Sequence, residues 1–435
     1  MSPDAGRQGA DFAPPRWLRN PHVQTVLGSS PWRRRVAAAV LARTGAVTRE
    51  HLLDGGDGVR LHGLHSVVPG TEPRGLALLL HGWEGSAESS YMQLAAAQLL
   101  ARGFEVFRLN FRDHGGTHHL NPDIFHSCRI DEVVHAARDV ADRFGARPMV
   151  VAGYSLGGNF ALRVALRARQ AGLPLARVAA VCPVLDPAGT MQRMEQGPWF
   201  YLHYFERKWR GSLARKRALF PDRVGFDRKV LRLRMRELTE WLVRHHTTLG
   251  SIDRYFDGYS VAGDRLAALP VPAHILMAAD DPVIPLDAFH QVSLPPHARL
   301  EILPWGGHCA FLDGTGAAGY AERWVAARLA GDCTGGHVRP LGYPDAGPQH
   351  REPGHADPQP QLPAAWPDPG RVRHGRAGRL RRQPQSAPGL GRRPGGHALV
   401  RPAVHRPRRA HRSFARRQGG RGDPGGASAR RLRAL

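Results

Sequence analysis

The segment that most restricts the fold is residues 148–159, PMVVAGYSLGGN. An uncharged apolar run the length of one buried strand leads directly into Gly-Tyr-Ser-Leu-Gly-Gly. It continues as GNFALRVALRARQAG, whose apolar residues recur at three- and four-residue spacing. A strand that turns this sharply into a helix leaves no room for side chains at Gly153 or Gly157, and it lifts Ser155 above the end of the strand. The surrounding chain fits the same architecture from about Gly75 to Ala330. LALLL (76–80), FEVFRL (104–109), VAAVC (178–182), AHILMAA (273–279) and LEIL (300–303) are strand-length apolar runs, and helical stretches separate them. This alternation predicts a mostly parallel sheet with crossover helices on both faces.

Two intervals depart from the rhythm. Residues 186–264 hold no strand-like run but are rich in Trp, Phe, Tyr and Arg, and include the amphipathic stretch DRKVLRLRMRELTEWLVRHH. They are expected to form an inserted helical lid on a domain spanning 1–332. Residues 333–435 carry 21 Arg, no Lys and 5 acidic residues, so +16 of the chain's +24 formal charge sits there, with 15 of its 36 prolines. Such a tail cannot bury enough apolar area to offset its ordering entropy and is expected to be disordered. Its Arg/Pro/Gly mixture also fits out-of-frame translation of a GC-rich gene, an idea that a codon-biased frame running on through the locus would overturn. The basic charge is therefore no argument for a specific nucleic-acid partner.

Cys128, Cys182, Cys309 and Cys333 are scattered, with no CxxC pair and no histidine at metal-ligand spacing, so neither a disulfide framework nor a metal is expected. The N-terminal residues lack a basic patch followed by an apolar stretch, and no apolar run approaches about 18 residues, which predicts a cytoplasmic protein. The Trp- and Pro-rich segment 14–32 reads as an ordered arm wrapped on the domain, with no chemistry assigned to it.

A serine hydroxyl needs a base to take its proton, and that base needs an acid to orient it. LPWGGHCAF supplies His308 in a small-residue loop after the strand at 300–303. AADDPVIP offers Asp280 and Asp281 after the strand at 273–279. Asp281, preceding Pro282 as the loop leaves the strand, is the choice for the acid, and Asp280 is expected to bond the turn. The backbone N–H groups of Trp83, in HGWEGS, and of Leu156 are the candidate oxyanion donors, with His81 bracing the loop. The loop RDHGGTHHLNPD gathers His114, His118, His119, Asp113 and Asp123, and reads as polar residues bracing the site's mouth rather than as a metal site.

The order Ser155, Asp281, His308 resembles the α/β-hydrolase superfamily. PPRWLRNPHVQTVL, HGWEGS, NFRDHGGT, GYSLGGN, DDPVIP and WGGHCAF together are similar to its YheT-like branch of carboxylesterases, over roughly residues 12–330. The resemblance implies an α/β-hydrolase fold and hydrolysis of carboxylic esters, with relatives acting on phospholipid or other acyl-chain substrates. It carries Ser155 over as nucleophile, Asp281 as acid and His308 as base, with no cofactor required. The expected partner is a small-molecule ester of acyl-chain or lipid-like type, with peripheral membrane contact through the lid. Two other classes stay open: acyl transfer by the same nucleophile, and a non-catalytic binder of nucleic acid or anionic surfaces acting through the basic tail.

Overall fold

The computed structural model describes residues 12–145, 148–314 and 318–331. The expectations for residues 333–435 lie outside these. Eight strands form one sheet in the order β1-β2-β4-β3-β5-β6-β7-β8. Six of them are the expected apolar runs: β3 (Gly75–Leu80), β4 (Phe104–Asn110), β5 (Met149–Tyr154), β6 (Leu175–Val181), β7 (Ala273–Ala278) and β8 (Ala298–Leu303). These six pair in parallel throughout, and every residue of β3, β4 and β5 is buried.

The sheet extends further than the sequence reading. β1 (Val47–Asp54) and β2 (Arg60–Val67) form an antiparallel hairpin, and β2 adds antiparallel to β4. β1 is an edge strand exposed at most of its positions, so VTREHLLD carries no apolar run to announce it. The usable signal was the turn: Gly56 and Gly58 in GGDG both take positive φ, as a tight hairpin requires.

Strand order positions the helices. The chain runs from β3 to β4 in one direction and from β4 to β5 in the other, so right-handed crossovers place their helices on opposite faces. α3 (Ser90–Leu100) packs with α2 (Pro31–Ala42) and α12 (Tyr320–Ala330), while α4 (Ile130–Arg143) packs with α5 (Leu156–Arg167). The direction reverses at β3 and β5, and the crevice beyond the carboxyl ends of strands at such a reversal is where ligands enter open α/β sheets. A short helix, α1 (Pro21–Gly28), precedes α2. The buried Arg33–Glu322 ion pair at 2.8 Å ties α2 to α12.

Between β6 and β7 lie α6 (Pro187–Gln196), α7 (Trp199–Leu219), α8 (Pro221–Val224), α9 (Met235–His246) and α10 (Ile252–Tyr259), with no strand among them. Leu213, Val224, Phe226, Leu238 and Leu242 of this insertion pack with Ile124, from the loop before α4, into a small separate core. α11 (Asp287–His290) completes the helices. Among the described residues no helix is long and apolar enough to cross a membrane.

Candidate active site

Ser155 stands where β5 enters α5, with φ 55° and ψ −121°. This backbone region costs a non-glycine residue roughly 1–3 kcal/mol, so the surroundings must impose it. The neighbouring glycines show how. A Cβ on Gly153 would lie 2.0 Å from the Gly157 carbonyl oxygen, and one on Gly157 would lie 2.2 Å from that of Leu80. β5, α5 and the end of β3 therefore close on one another only because both positions lack side chains. Asn159 locks the first turn of α5 by donating to the carbonyls of Val184 at 2.8 Å and Tyr259 at 2.7 Å.

His308 arrives from the loop after β8. Its Nδ1 donates to Asp281 Oδ2 at 2.9 Å, which leaves Nε2 to accept from Ser155 Oγ at 3.0 Å. The Asp281 carboxylate is buried, and its other oxygen accepts the backbone N–H groups of Val283 (2.8 Å) and Ile284 (3.0 Å). Asp280 instead accepts the Gly307 N–H at 2.9 Å and so bonds the turn that carries His308. Burial works to lower the His308 pKa, but the Asp281 carboxylate and then Cys309 outweigh it, so the imidazole titrates well above its usual value.

The N-terminal arm, to which the sequence assigned no chemistry, holds this loop. Thr25 on α1 accepts the His308 backbone N–H at 2.9 Å and donates to the Pro21 carbonyl at 2.7 Å. Buried Gln24 donates to the carbonyls of Leu18 and Leu312 and accepts the Leu312 N–H at 2.8 Å. Gly307, at φ +54°, lies so close to α1 that a Cβ there would approach the Pro21 carbonyl oxygen to 2.6 Å.

The loop after β3 faces Ser155 from the other side. A Cβ on Gly82 would sit 3.3 Å from the Ser155 Cβ, which measures how closely the two turns approach. Gly82 donates to the Tyr91 hydroxyl at 3.0 Å, and Gly85 to the Gly82 carbonyl at 3.0 Å. His81 is fully buried. Its Nδ1 donates to the Gly82 carbonyl and its Nε2 accepts the Phe111 N–H, so burial that depresses its pKa leaves it a neutral brace. Neither the Trp83 nor the Leu156 N–H has an acceptor among the described residues. Glu84, unmarked by the sequence reading, is strained at φ 56°, and burial pushes its carboxyl up to about 7 against the pull of Lys208.

A cavity of about 550 Å³ opens over Ser155 and His308. Most of its wall is apolar, with Met191, Met194, Phe205, Trp209, Phe256 and Ile284 among the contributors, so the lid supplies much of the surface a ligand would meet. The histidine-rich loop after β4 is anchored to α7. Asp113 pairs with Lys216 at 2.5 Å, and His118 Nε2 meets Ser212 Oγ at 2.8 Å. Among the described residues, the potential metal-ligand group consists of Cys182, His308 and Cys309. Its histidine is already engaged at both nitrogens by Asp281 and Ser155.

Comparison with known proteins bears on the fold family. A family model described as the α/β hydrolase fold matches residues 77–315, more than half of the chain. "Putative esterase YheT" of Escherichia coli (strain K12) is 29% identical over 330 residues, 74% of this chain and 92% of that protein. Phospholipase ABHD3 of Mus musculus is 22% identical over 241 residues, 54% of this chain and 58% of its own length. Among solved structures, an esterase from Pyrobaculum calidifontis covers 73% of this chain and 99% of its own, at 16% identity and a TM-score of 0.46.

Proposed function

Because the chain belongs to the α/β hydrolase fold family, we propose that it cleaves carboxylic esters of acyl-chain type through Ser155, His308 and Asp281. The observation that carries this reading is the unbroken relay from Asp281 Oδ2 to His308 Nδ1 (2.9 Å) and from His308 Nε2 to Ser155 Oγ (3.0 Å). As Ser155 Oγ attacks the ester carbonyl carbon, its proton passes to His308 Nε2, and Asp281 holds the resulting imidazolium. The carbonyl oxygen takes the negative charge between the Trp83 and Leu156 N–H groups, which no acceptor among the described residues engages. Collapse expels the alcohol, protonated by His308, and leaves the acyl group on Ser155. Water then attacks, giving its proton to His308, and the acid departs as Oγ regains a proton.

The apolar wall of the cavity supports an acyl chain as the group bound beside Ser155. Similarity to proteins named as an esterase and a phospholipase points the same way. Trp199, 75% exposed at the start of α7, belongs to the proposed lipid-facing rim. Flotation with phosphatidylcholine vesicles that weakens in Trp199→Ser supports that contact, and unchanged flotation removes it. The central test is hydrolysis of a chain-length series of p-nitrophenyl esters by the full chain and by Ser155→Ala. Turnover with a chain-length optimum that vanishes in the variant supports the reading, and turnover that survives in it overturns the reading. Product analysis with alcohol acceptors present separates hydrolysis from acyl transfer.

A further inference from the structure

Two cysteines far apart in sequence meet beside the base. Cys182 follows directly on β6, and Cys309 follows directly on His308. Their thiols and a ring nitrogen of His308 lie within 4.8 Å of one another, and Cys309 Sγ is 4.0 Å from His308 Nε2. Each sulfur reaches across to the other's segment, Cys182 Sγ to the Gly307 carbonyl at 4.0 Å and Cys309 Sγ to the Val181 carbonyl at 3.6 Å. Both residues hold positive φ, 42° at Cys182 and 62° at Cys309, a conformation that non-glycine residues keep only where the surroundings impose it.

The two sulfurs differ in access. Cys182 is fully buried, whereas Cys309 is 8% exposed and lines the apolar cavity over Ser155. A cysteine in apolar surroundings is ordinarily inert packing. Cys309 departs from that because a small molecule that enters the cavity as far as His308 Nε2 meets its sulfur next. Burial works to raise the Cys309 pKa, but the hydrogen bond with Cys182 and then His308 outweigh it, so this thiol titrates below its ordinary value. Burial keeps Cys182 protonated. Cys309 lies on the apolar cavity and not on a second one, of about 530 Å³, which Arg207, Lys208 and Arg215 line from α7. An apolar wall favours a small neutral oxidant over a charged one.

We propose that Cys309 is a site of oxidation by hydroperoxides, with Cys182 as its resolving thiol, and that the disulfide they form switches hydrolysis off. His308 Nε2 takes the Cys309 proton, and the sulfur attacks one peroxide oxygen. The S–O bond forms as the O–O bond breaks, and the departing hydroxide recovers the proton from His308 and leaves as water. The Cys182 thiol then attacks the Cys309 sulfur, so that the S–S bond forms as the S–O bond breaks, and the hydroxyl leaves with the Cys182 proton as a second water. The two thiols together lose two electrons, and one hydrogen peroxide becomes two waters. A disulfide of about 2.05 Å requires the sulfurs to close the gap between them. Cys182 is tied into the sheet by its N–H to the Leu276 carbonyl at 2.7 Å, so it is the loop of Cys309 that moves. His308 moves with it, and a displacement of about 1 Å from Ser155 can cost about a hundredfold in rate. The loss of hydrolysis rests on the reading of Ser155 as nucleophile, whereas the disulfide itself does not.

The test treats the full chain with hydrogen peroxide at a few molar equivalents. A peptide map after alkylation should show Cys182 and Cys309 joined in one cross-linked species, and its absence overturns the proposal. Turnover of a p-nitrophenyl ester, each protein normalised to its own untreated rate, should fall at least tenfold and return to within twofold on adding dithiothreitol. Cys309→Ala should lose less than twofold under the same treatment. A loss equal to that of the unaltered protein would assign the effect to another residue and overturn the proposal. In Cys182→Ala the chemistry stops at the sulfenic acid, so dimedone should label Cys309, and an unlabelled Cys309 overturns its place as the point of attack. A cross-link that leaves turnover unchanged overturns the switch. If the untreated protein turns over no ester, the Ser155 reading fails, and the peptide map still decides whether the two thiols pair.

Discussion

The turn that carries Ser155 is shaped by its immediate neighbours in sequence and by one adjoining strand. The loop that carries His308 depends on a threonine 283 positions away. In the first, Gly153 and Gly157 remove the two side chains that would block the approach of β5, α5 and β3, and the strained serine backbone follows from that packing. In the second, Gly306 and Gly307 give the chain freedom to turn. They do not say which way it turns, and Asp280, Thr25 and Gln24 supply the direction. The lesson is that a nucleophile can be set by local sterics, while the base that serves it is set by hydrogen bonds drawn from two distant parts of the chain.

The largest expected effects test the relay that joins these two regions. Ser155→Ala should reduce kcat by about 10⁴ or more with no loss of Tm, checked with p-nitrophenyl esters and a melting curve. Asp281→Asn should cost about 10⁴ in kcat by the logic of a misoriented imidazole, while Asp280→Asn, which weakens one turn hydrogen bond, should cost about tenfold. Equal losses in the two would mean that Asp280 shares the acid's role.

Two substitutions of intermediate effect then break one region at a time. Gly157→Ala forces a methyl against the Leu80 carbonyl and should cost about 1–3 kcal/mol or more, seen as a Tm several degrees lower. Thr25→Val keeps the shape but leaves the His308 N–H without its acceptor. It should cost about 1–3 kcal/mol and lower kcat about tenfold with KM nearly unchanged. A Thr25→Val protein with normal kcat would reduce the N-terminal arm to packing and erase the contrast drawn above.

The smallest effect concerns pH. Only neutral His308 can accept the serine proton, so kcat/KM should rise with pH through the imidazole's pKa, which lies above its ordinary value in this site. Cys309 contributes to that elevation, so Cys309→Ala should move the rising limb to lower pH and raise relative activity near pH 6. A limb that stays in place would show that Asp281 alone sets it.

Much of the fold was legible because it depends on local pattern. The six parallel strands announce themselves as apolar runs, since both faces of each central strand are buried. The hairpin of β1 and β2 escaped notice because an exposed edge strand needs no such run, and only its glycine turn carried a signal. The helical character of residues 186–264 was readable from aromatic and amphipathic spacing. That α7 would divide an apolar cavity from a basic one was not, because the division depends on which loops face each side of the helix.

By itself, then, the sequence determined the strand-to-helix turn at Ser155 and the order in which strands and helices alternate. Both follow largely from sterics and periodicity within a few residues, the turn being completed by its close approach to β3. The tertiary structure decided what holds the His308 loop and how the lid divides the space above the sheet. Those outcomes turn on side-chain directions and on contacts between segments hundreds of residues apart, which no local spacing encodes.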